Sequence, residues 1–248
     1  MRHYILGLPL DVVSLEEAAA WVLAASGAGR ASGARMPPSS EPRLVVTLNP
    51  EIVVQARADE GLGTAIRHAD LSVADGVGIA WAARLRGHEL PGRVPGVDLV
   101  SEVLAKAGPD LAVFLLGGRP GVAEAAAAKV RRLYGTKVVG AHHGYFGADE
   151  REAVCAAVRE SSAALLLAGL GEGQERFLHE HREQLGARVM IGVGGTLDVL
   201  AGAVKRMPRW TTRLGVEWLF RVLLDPRRWR RIPRLWRFAW LVVRSQAI

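Results

Sequence analysis

The sequence predicts a protein of the α/β class, in which a mostly parallel sheet carries helices on both faces. Three observations support this prediction: six short aliphatic runs, helical stretches between them, and glycine-rich turns where three of the runs end. Strands that alternate with helices pair in parallel, and the helices cover both faces of the sheet. The chain has 248 residues, 50% of them hydrophobic, which is enough to bury a large core. We therefore expect a Rossmann-like sheet.

The elements follow one another along the chain. A helix at 15–25 precedes the polar, Pro-rich stretch 26–42, which we predict to be a flexible loop. The predicted strands are 43–48, 71–75, 111–117, 137–143, 164–170 and 188–193. The predicted helices between and after them are 50–67, 77–86, 98–107, 121–133, 149–159 and 174–184. We assign residues 1–202 to the α/β domain and residues 203–248 to a basic, amphipathic, helical C-terminal appendage.

The appendage differs from the domain in charge and in aromatic content. Residues 203–248 hold 12 Lys and Arg against two acidic residues, whereas residues 1–202 have a formal net charge of −3. The segment also holds five of the seven tryptophans: Trp210, Trp218, Trp229, Trp236 and Trp240. One helical stripe is predicted to contain Trp229, Ile232, Trp236, Trp240 and Val243, with arginines opposite. Pro233 predicts a kink or two short helices.

Arginine beside a tryptophan stripe is typical of a helix that lies on an anionic bilayer. We expect this partner rather than nucleic acid, since the apolar stripe is wide. A third interpretation is that the appendage packs on the domain and donates arginines to a phosphate. No run of about 18 uncharged apolar residues occurs, so we expect no membrane span. We also expect no signal peptide, because the first 20 residues turn acidic before an apolar core develops.

The three glycine-rich turns lie at 117–121, 169–173 and 192–195. Glycine lets backbone N–H groups approach an anion, and the helix that follows adds a favourable dipole. Gly118, Gly171, Gly194 and Gly195 are therefore candidate ligand contacts. The alternative is that the glycines only permit tight turns. No turn completes the G-x-G-x-x-G or P-loop pattern, but together they favour a nucleotide or phosphate ligand.

Three candidate polar residues lie at strand ends, where ligands of parallel sheets bind, and a fourth lies in a loop. Asp75 ends the second predicted strand and could act as a general base, or it could cap the next helix. Thr47 and Asn49 could orient a sugar or phosphate, or cap the helix that begins at Pro50. Arg93 lies in a Pro- and Gly-containing loop that could cover a diphosphate, or it is a solvated surface residue.

Neither a metal site nor a cofactor site is predicted. His142 and His143 are adjacent on a predicted strand, so their side chains should point to opposite faces. No Asp-x-Asp triplet that could hold a cation against a sugar diphosphate occurs. The single cysteine, Cys155, excludes a disulfide framework and a cysteine-based zinc site, and it indicates a reducing compartment.

Between about residue 44 and about residue 230 the chain resembles the WecG/TagA/CpsF family of bacterial glycosyltransferases. The order and spacing of several motifs carry the resemblance: TLNPE (47–51), ADLSVADGVGIAWAARLRG (69–87), LPGRVPGVDL (90–99), FLLGGRPGVAE (114–124), HHGYF (142–146), GLGEGQERF (169–177), GVGGTLDVLAG (192–202) and KRMPRWTTRLGVEWLFRVLLDPRR (205–228). The family usually has Gly-x-Pro-x-Gln-Glu where this chain has Gly171-Glu172-Gly173-Gln174-Glu175, and Ala-Phe-Asp where it has Thr196-Leu197-Asp198.

The resemblance implies an inverting, metal-independent transfer of a sugar from a UDP-sugar to an undecaprenyl-diphosphate-linked saccharide. The sugar would be of the N-acetylmannosamine type, and the enzyme would attach to the cytoplasmic face of the membrane. Asp75 would be the catalytic base, Thr47 and Asn49 would orient the sugars, and Arg93 and Gln174 would line the site. Arginines of the appendage would face diphosphate or lipid headgroups: Arg206, Arg221 and Arg228.

Two alternatives compete with a transferase. A nucleotide-sugar oxidoreductase or epimerase should carry a complete dinucleotide motif and an acidic ribose ligand, and the sequence has neither. A membrane-associated scaffold or regulatory module would bind a nucleotide without turnover and tolerate Asp75→Ala.

Overall fold

The computed structural model describes residues 1–28, 41–204, 229 and 232–245. Its main sheet contains β3 (Arg43–Leu48), β4 (Leu71–Ala74), β5 (Ala112–Gly117), β6 (Lys137–His142), β7 (Leu165–Gly169) and β8 (Val189–Gly192). The six strands are all parallel and lie in the order β4-β3-β8-β7-β5-β6. The predicted α/β class is confirmed. Both ends of every predicted strand lie within one residue of the observed ends.

A short antiparallel hairpin at the N-terminus was not predicted. Strands β1 (Arg2–Ile5) and β2 (Leu8–Asp11) pair through a turn in which Leu6 and Gly7 both have positive φ, as tight hairpin turns require. The Asp11 carboxylate accepts hydrogen bonds from the Arg2 guanidinium and from the Ser72 N–H of β4, both at 2.8 Å. The first bond joins the two strands of the hairpin, and the second attaches the hairpin to the main sheet. The sequences of its strands, RHYI and LPLD, lack the continuous aliphatic runs from which the strands of the main sheet were predicted.

Helices cover both faces of the sheet. One face carries α1 (Leu15–Ser26), α5 (Gly96–Ala107), α6 (Val122–Tyr134) and α10 (Thr196–Ala201). The other carries α2 (Pro50–Ala56), α3 (Glu60–Arg67), α4 (Val77–Leu85), α7 (Arg151–Glu160), α8 (Gln174–Glu180) and α9 (Arg182–Leu185). The C-terminal helix α11 (Ile232–Arg244) joins this second layer through buried Phe238 and Val242.

Two predicted helices are each divided in the structure. The predicted helix 50–67 is two helices because Asp59 caps α3, its side chain accepting a hydrogen bond from the Leu62 N–H at 3.0 Å. The predicted helix 174–184 is divided at His181. Helix α10 was predicted without bounds, as the helix that follows the glycine-rich turn 192–195. Of the predicted loop 26–42, residue 26 belongs to α1, and residues 29–40 lie outside the described part of the chain.

Candidate functional site at the carboxyl edge of the sheet

The three glycine-rich turns meet where β5, β7 and β8 end. A Cβ atom on Gly117 would lie 2.4 Å from the carbonyl oxygen of Gly169, and one on Gly169 would lie 2.6 Å from that of Gly194. Neighbouring strand ends therefore approach so closely that no side chain fits between them. The predicted grouping of the turns at one edge is what the structure shows.

Two of the predicted ligand contacts have a packing role. The Gly118 N–H donates to the Gly169 carbonyl oxygen at 3.1 Å, and the Gly194 N–H donates to Oε1 of Gln174 at 3.2 Å. For Gly118 and Gly194 the structure thus favours the alternative interpretation, in which glycine permits a tight turn. Gly171 and Gly195 are exposed at the same edge, and their contact with a ligand stays a prediction.

Thr47 and Asn49, at the end of β3, have different surroundings. Thr47 is buried, and its Oγ1 donates to the Gly192 carbonyl oxygen of β8 at 3.0 Å, so this side chain joins two strand ends. The Asn49 Oδ1 accepts from the N–H groups of Glu51 and Ile52 at 3.0 and 3.1 Å, so Asn49 caps α2. The capping alternative applies to Asn49 and not to Thr47.

Asp75 lies one residue beyond β4 and is half-buried. Gly76 occupies the N-cap position of α4, and no side chain caps that helix. The Asp75 carboxylate instead accepts a hydrogen bond at 3.4 Å from the N–H of Gly96, the first residue of α5. A Cβ on Gly96 would lie 3.3 Å from Cγ2 of Thr47. The carboxylate is therefore close to the β3 end and beside a helix N-terminus, whose partial positive charge stabilises an anion.

Arg93 is held near the same strand end by its neighbour in the chain. The N–H of Val94 donates to the Ala74 carbonyl oxygen at 2.8 Å, and this bond anchors the loop between α4 and α5 on β4. Arg93 is partly exposed there. Asp75 and Arg93, predicted from separate motifs, are thus the chain neighbours of the two residues joined by one backbone hydrogen bond.

Gln174 and Glu175 form a buried pair next to the end of β8. The Gln174 Nε2 donates to Oε1 of Glu175 at 2.6 Å, while its own Oε1 accepts from Gly194. A Cβ on Gly192 would lie 2.7 Å from the Glu175 carboxylate. Burial raises the pKa of Glu175 to about 7, although the hydrogen bond from Gln174 lowers it. Gln174 was a predicted site residue and Glu175 was not, although Glu175 occupies the last position of the same family motif.

The C-terminal helix α11 packs on α2 and α4, the two helices that begin at the site. Phe238 lies against the start of α4, where a Cβ on Gly78 would be 3.6 Å from its ring, and Val242 is fully buried. Arg234 forms an ion pair with Glu172 in the turn after β7. The interpretation in which the appendage packs on the domain therefore holds for this helix. The predicted contacts Arg206, Arg221 and Arg228 lie outside the described residues.

The imidazole rings of His142 and His143 contact each other, with centroids 4.5 Å apart, because β6 ends at His142 and the strand alternation stops there. The prediction that they point to opposite faces is wrong. In the described part of the chain no three His, Cys, Asp or Glu side chains are grouped so that they could hold a metal ion. None of the described helices is long and apolar enough to cross a membrane.

Comparison with known proteins identifies the family of the chain. The model of the glycosyl transferase WecG/TagA/CpsF family matches residues 3–248. A relative from Bacillus subtilis (strain 168), N-acetylglucosaminyldiphosphoundecaprenol N-acetyl-beta-D-mannosaminyltransferase, is 31% identical over 206 residues, which cover 82% of this chain and 80% of the relative. The chain is therefore a transferase that belongs to the WecG/TagA/CpsF family of glycosyl transferases.

Proposed function

We propose that the protein is an inverting, UDP-sugar-dependent hexosyltransferase of cell-surface polysaccharide, teichoic acid or exopolysaccharide biosynthesis. It would move an N-acetylmannosamine-type sugar, N-acetylmannosaminuronate or a related hexose or uronate to an undecaprenyl-diphosphate-linked saccharide. The name of the B. subtilis relative supports this substrate class. The observation that carries the proposal is the Asp75 carboxylate at the carboxyl edge of the sheet, which accepts from Gly96 instead of capping α4.

In the proposed reaction an acceptor hydroxyl oxygen attacks the anomeric carbon of the donor from the face opposite UDP. Asp75 takes the hydroxyl proton as the new C–O bond forms, and the bond to the UDP oxygen breaks with its electron pair on UDP. The anomeric configuration inverts because attack and departure occur on opposite faces. Thr47 and Asn49 orient the sugars at the end of β3.

Charge on the departing UDP has to be stabilised without a metal ion in this mechanism. Arg93, anchored beside Asp75, supplies one cation, and the exposed backbone at Gly171 and Gly195 supplies hydrogen-bond donors. Gln174 positions the turn at Gly194, because its Oε1 accepts a hydrogen bond from the Gly194 N–H. Arg206, Arg221 and Arg228 would complete the diphosphate contacts from the appendage.

We also propose that the protein binds peripherally to the cytoplasmic face of the plasma membrane through residues 203–248. Trp236 and Trp240 are 74% and 55% exposed on the side of α11 that faces away from buried Phe238. The Arg244 guanidinium lies 5.0 Å from the Trp240 ring centroid, which places a positive charge beside an exposed indole. Tryptophan with arginine at one surface suits the headgroup region of an anionic bilayer.

A transfer assay in EDTA tests the enzyme proposal. The purified chain is incubated with UDP-N-acetylmannosamine and undecaprenyl-diphosphate-linked N-acetylglucosamine, and the product linkage is determined by NMR. We expect product whose anomeric configuration is inverted relative to the donor. UDP-sugar binding in a thermal-shift screen without product from any bound donor would instead support the scaffold alternative.

A vesicle assay tests the membrane proposal separately. The variant Trp236→Glu/Trp240→Glu should co-sediment with phosphatidylglycerol-containing vesicles much less than the wild type, because two exposed indoles become acidic. The control Tyr145→Glu changes another exposed aromatic residue, outside α11. Equal sedimentation of the tryptophan variant and the wild type would contradict membrane attachment through this helix.

A further inference from the structure

Helix α4 presents two large apolar side chains to solvent. Trp81 is 40% exposed and Leu85 is 42% exposed, although both belong to a helix whose Ile79, Ala82 and Ala83 are buried in the core. Four residues separate Trp81 from Leu85, so the two side chains lie one above the other on the helix surface. This pair forms an exposed apolar patch on α4.

The patch borders α11. Gly78 of α4 lies against the Phe238 ring, and Trp81 and Leu85 follow Gly78 by three and seven residues, which places them on the same side of α4. At the far end of α4 the Arg86 guanidinium donates to Oγ of Ser245 at 2.6 Å. The two helices are thus joined at both ends of this side, with the apolar patch between the joining contacts.

The outward side of α11 also exposes apolar side chains. Trp236, Trp240 and Val243 are 74%, 55% and 56% exposed, at the i, i+4 and i+7 spacing of one helical face. The opposite side of the same helix is buried through Phe238 and Val242. Both helices therefore expose apolar groups next to the contact that joins them.

Within the two helical segments the charged side chains have one sign, and the acidic Glu172 is paired with Arg234 of α11. Arg84, Arg237 and Arg244 are exposed, and neither 77–87 nor 232–245 contains an acidic residue. A surface that combines exposed tryptophan with arginine and lacks acidic side chains is complementary to anionic lipid headgroups above acyl chains. A second copy of this chain is a poor occupant, because the same face would bring arginines against arginines.

We infer that α4 is a second membrane contact, and that Trp81 and Leu85 enter the interfacial region of an anionic bilayer together with the exposed side of α11. This inference rests on the proposed membrane attachment and extends it from the appendage to the catalytic domain. Asp75 precedes α4 by two residues, so binding through α4 fixes the mouth of the site at headgroup depth, where a lipid-linked diphosphate lies.

The test uses full-length protein and vesicles of phosphatidylcholine with or without phosphatidylglycerol. The variant Trp81→Glu/Leu85→Glu should partition to the anionic vesicles at least about tenfold more weakly than the wild type, given the apolar area and the charge that change. The matched control is Leu133→Glu, since Leu133 is 56% exposed on α6, on the opposite face of the sheet. We expect the control to partition like the wild type; equal partitioning of the α4 variant would overturn the inference.

A second measurement does not depend on a destabilising charge. An environment-sensitive fluorophore is attached at Leu85→Cys or at Leu133→Cys, while Cys155 is buried and should not react. Anionic vesicles should shift the emission to the blue at position 85 and leave position 133 unchanged. No shift at position 85 would overturn the inference.

The result also separates this inference from the membrane proposal. Loss of partitioning in Trp236→Glu/Trp240→Glu but not in Trp81→Glu/Leu85→Glu refutes only the α4 contact. Unchanged partitioning in both variants refutes membrane attachment through α11 as well. Conversion of a dimer to a monomer by the α4 variant, with vesicle partitioning unchanged, would assign the surface to contact between copies and overturn the inference.

Discussion

Replacing Glu175 with Gln should change how the stability of the protein depends on pH. Burial raises the pKa of this carboxyl group from an ordinary value of 4.5 to about 7. The folded protein therefore holds the proton more tightly than the unfolded chain, and the free energy of unfolding falls as pH rises from about 4.5 to about 7. Above that range the whole penalty, at most about 3 kcal/mol, is present.

Glutamine cannot ionise, and its Oε1 can still accept the hydrogen bond from Gln174. The stability of Glu175→Gln relative to the wild type should therefore increase between about pH 5 and about pH 8. For a protein of this size the change approaches roughly 5–10 °C in melting temperature, because each kcal/mol corresponds to a few degrees. The sign is opposite to that expected for a carboxylate whose pKa is lowered by a salt bridge.

Melting temperatures of the wild type, Glu175→Gln and the control Glu89→Gln, measured by calorimetry across this pH range, check the prediction. Glu89 is exposed in the loop after α4, so its substitution should leave the difference from the wild type nearly constant. A difference between Glu175→Gln and the wild type that does not change with pH would refute the conclusion that folding raises the pKa of Glu175.

Four further variants test packing around the site. Thr47→Val should lower the free energy of unfolding by about 1–3 kcal/mol in urea titrations, because the Gly192 carbonyl loses its donor, and Thr47→Ser should restore most of it. Phe238→Ala should weaken the packing of α11 by about 3–5 kcal/mol and speed tryptic cleavage at Arg237. Glu172→Gln removes only an exposed ion pair with Arg234, costs less than about 1 kcal/mol, and should barely change that cleavage. Cleavage as slow in Phe238→Ala as in Glu172→Gln would contradict the packing described for α11.

Strand positions could be predicted closely because buried parallel strands are continuous aliphatic runs with sharp polar ends. Helix boundaries were less certain, since the break before α3 depends on a cap by Asp59 inside an otherwise helical pattern. The edge that holds the site could be predicted because ligands of parallel sheets bind at the carboxyl ends of the strands. This rule places Thr47, Asp75 and the glycine turns together, whatever the conformation of each turn. The sequence does not show which glycine N–H groups donate a hydrogen bond within the protein, as those of Gly118 and Gly194 do. That depends on contacts between segments that are far apart in the sequence.

The appendage shows another limit of periodicity. The sequence predicts the stripe that contains Trp236 and Trp240, but α11 has a second apolar side, formed by Phe238 and Val242. Periodicity alone does not tell which side packs on the domain and which faces outward. The burial of Glu175 could not be predicted from the sequence either. Its sequence neighbours suit an exposed helix start, and only its closeness to Gly192 in the structure shows where the side chain lies.

The catalytic role of Asp75 is the central claim, and the turnover of Asp75→Asn tests it most directly. Asparagine keeps an acceptor for the Gly96 N–H but cannot take a proton, so kcat should fall about 10²- to 10⁴-fold while the melting temperature stays close to that of the wild type. Asp110→Asn, at an exposed position before β5, is the matched control and should turn over normally. A kcat of purified, folded Asp75→Asn near that of the wild type would contradict the account.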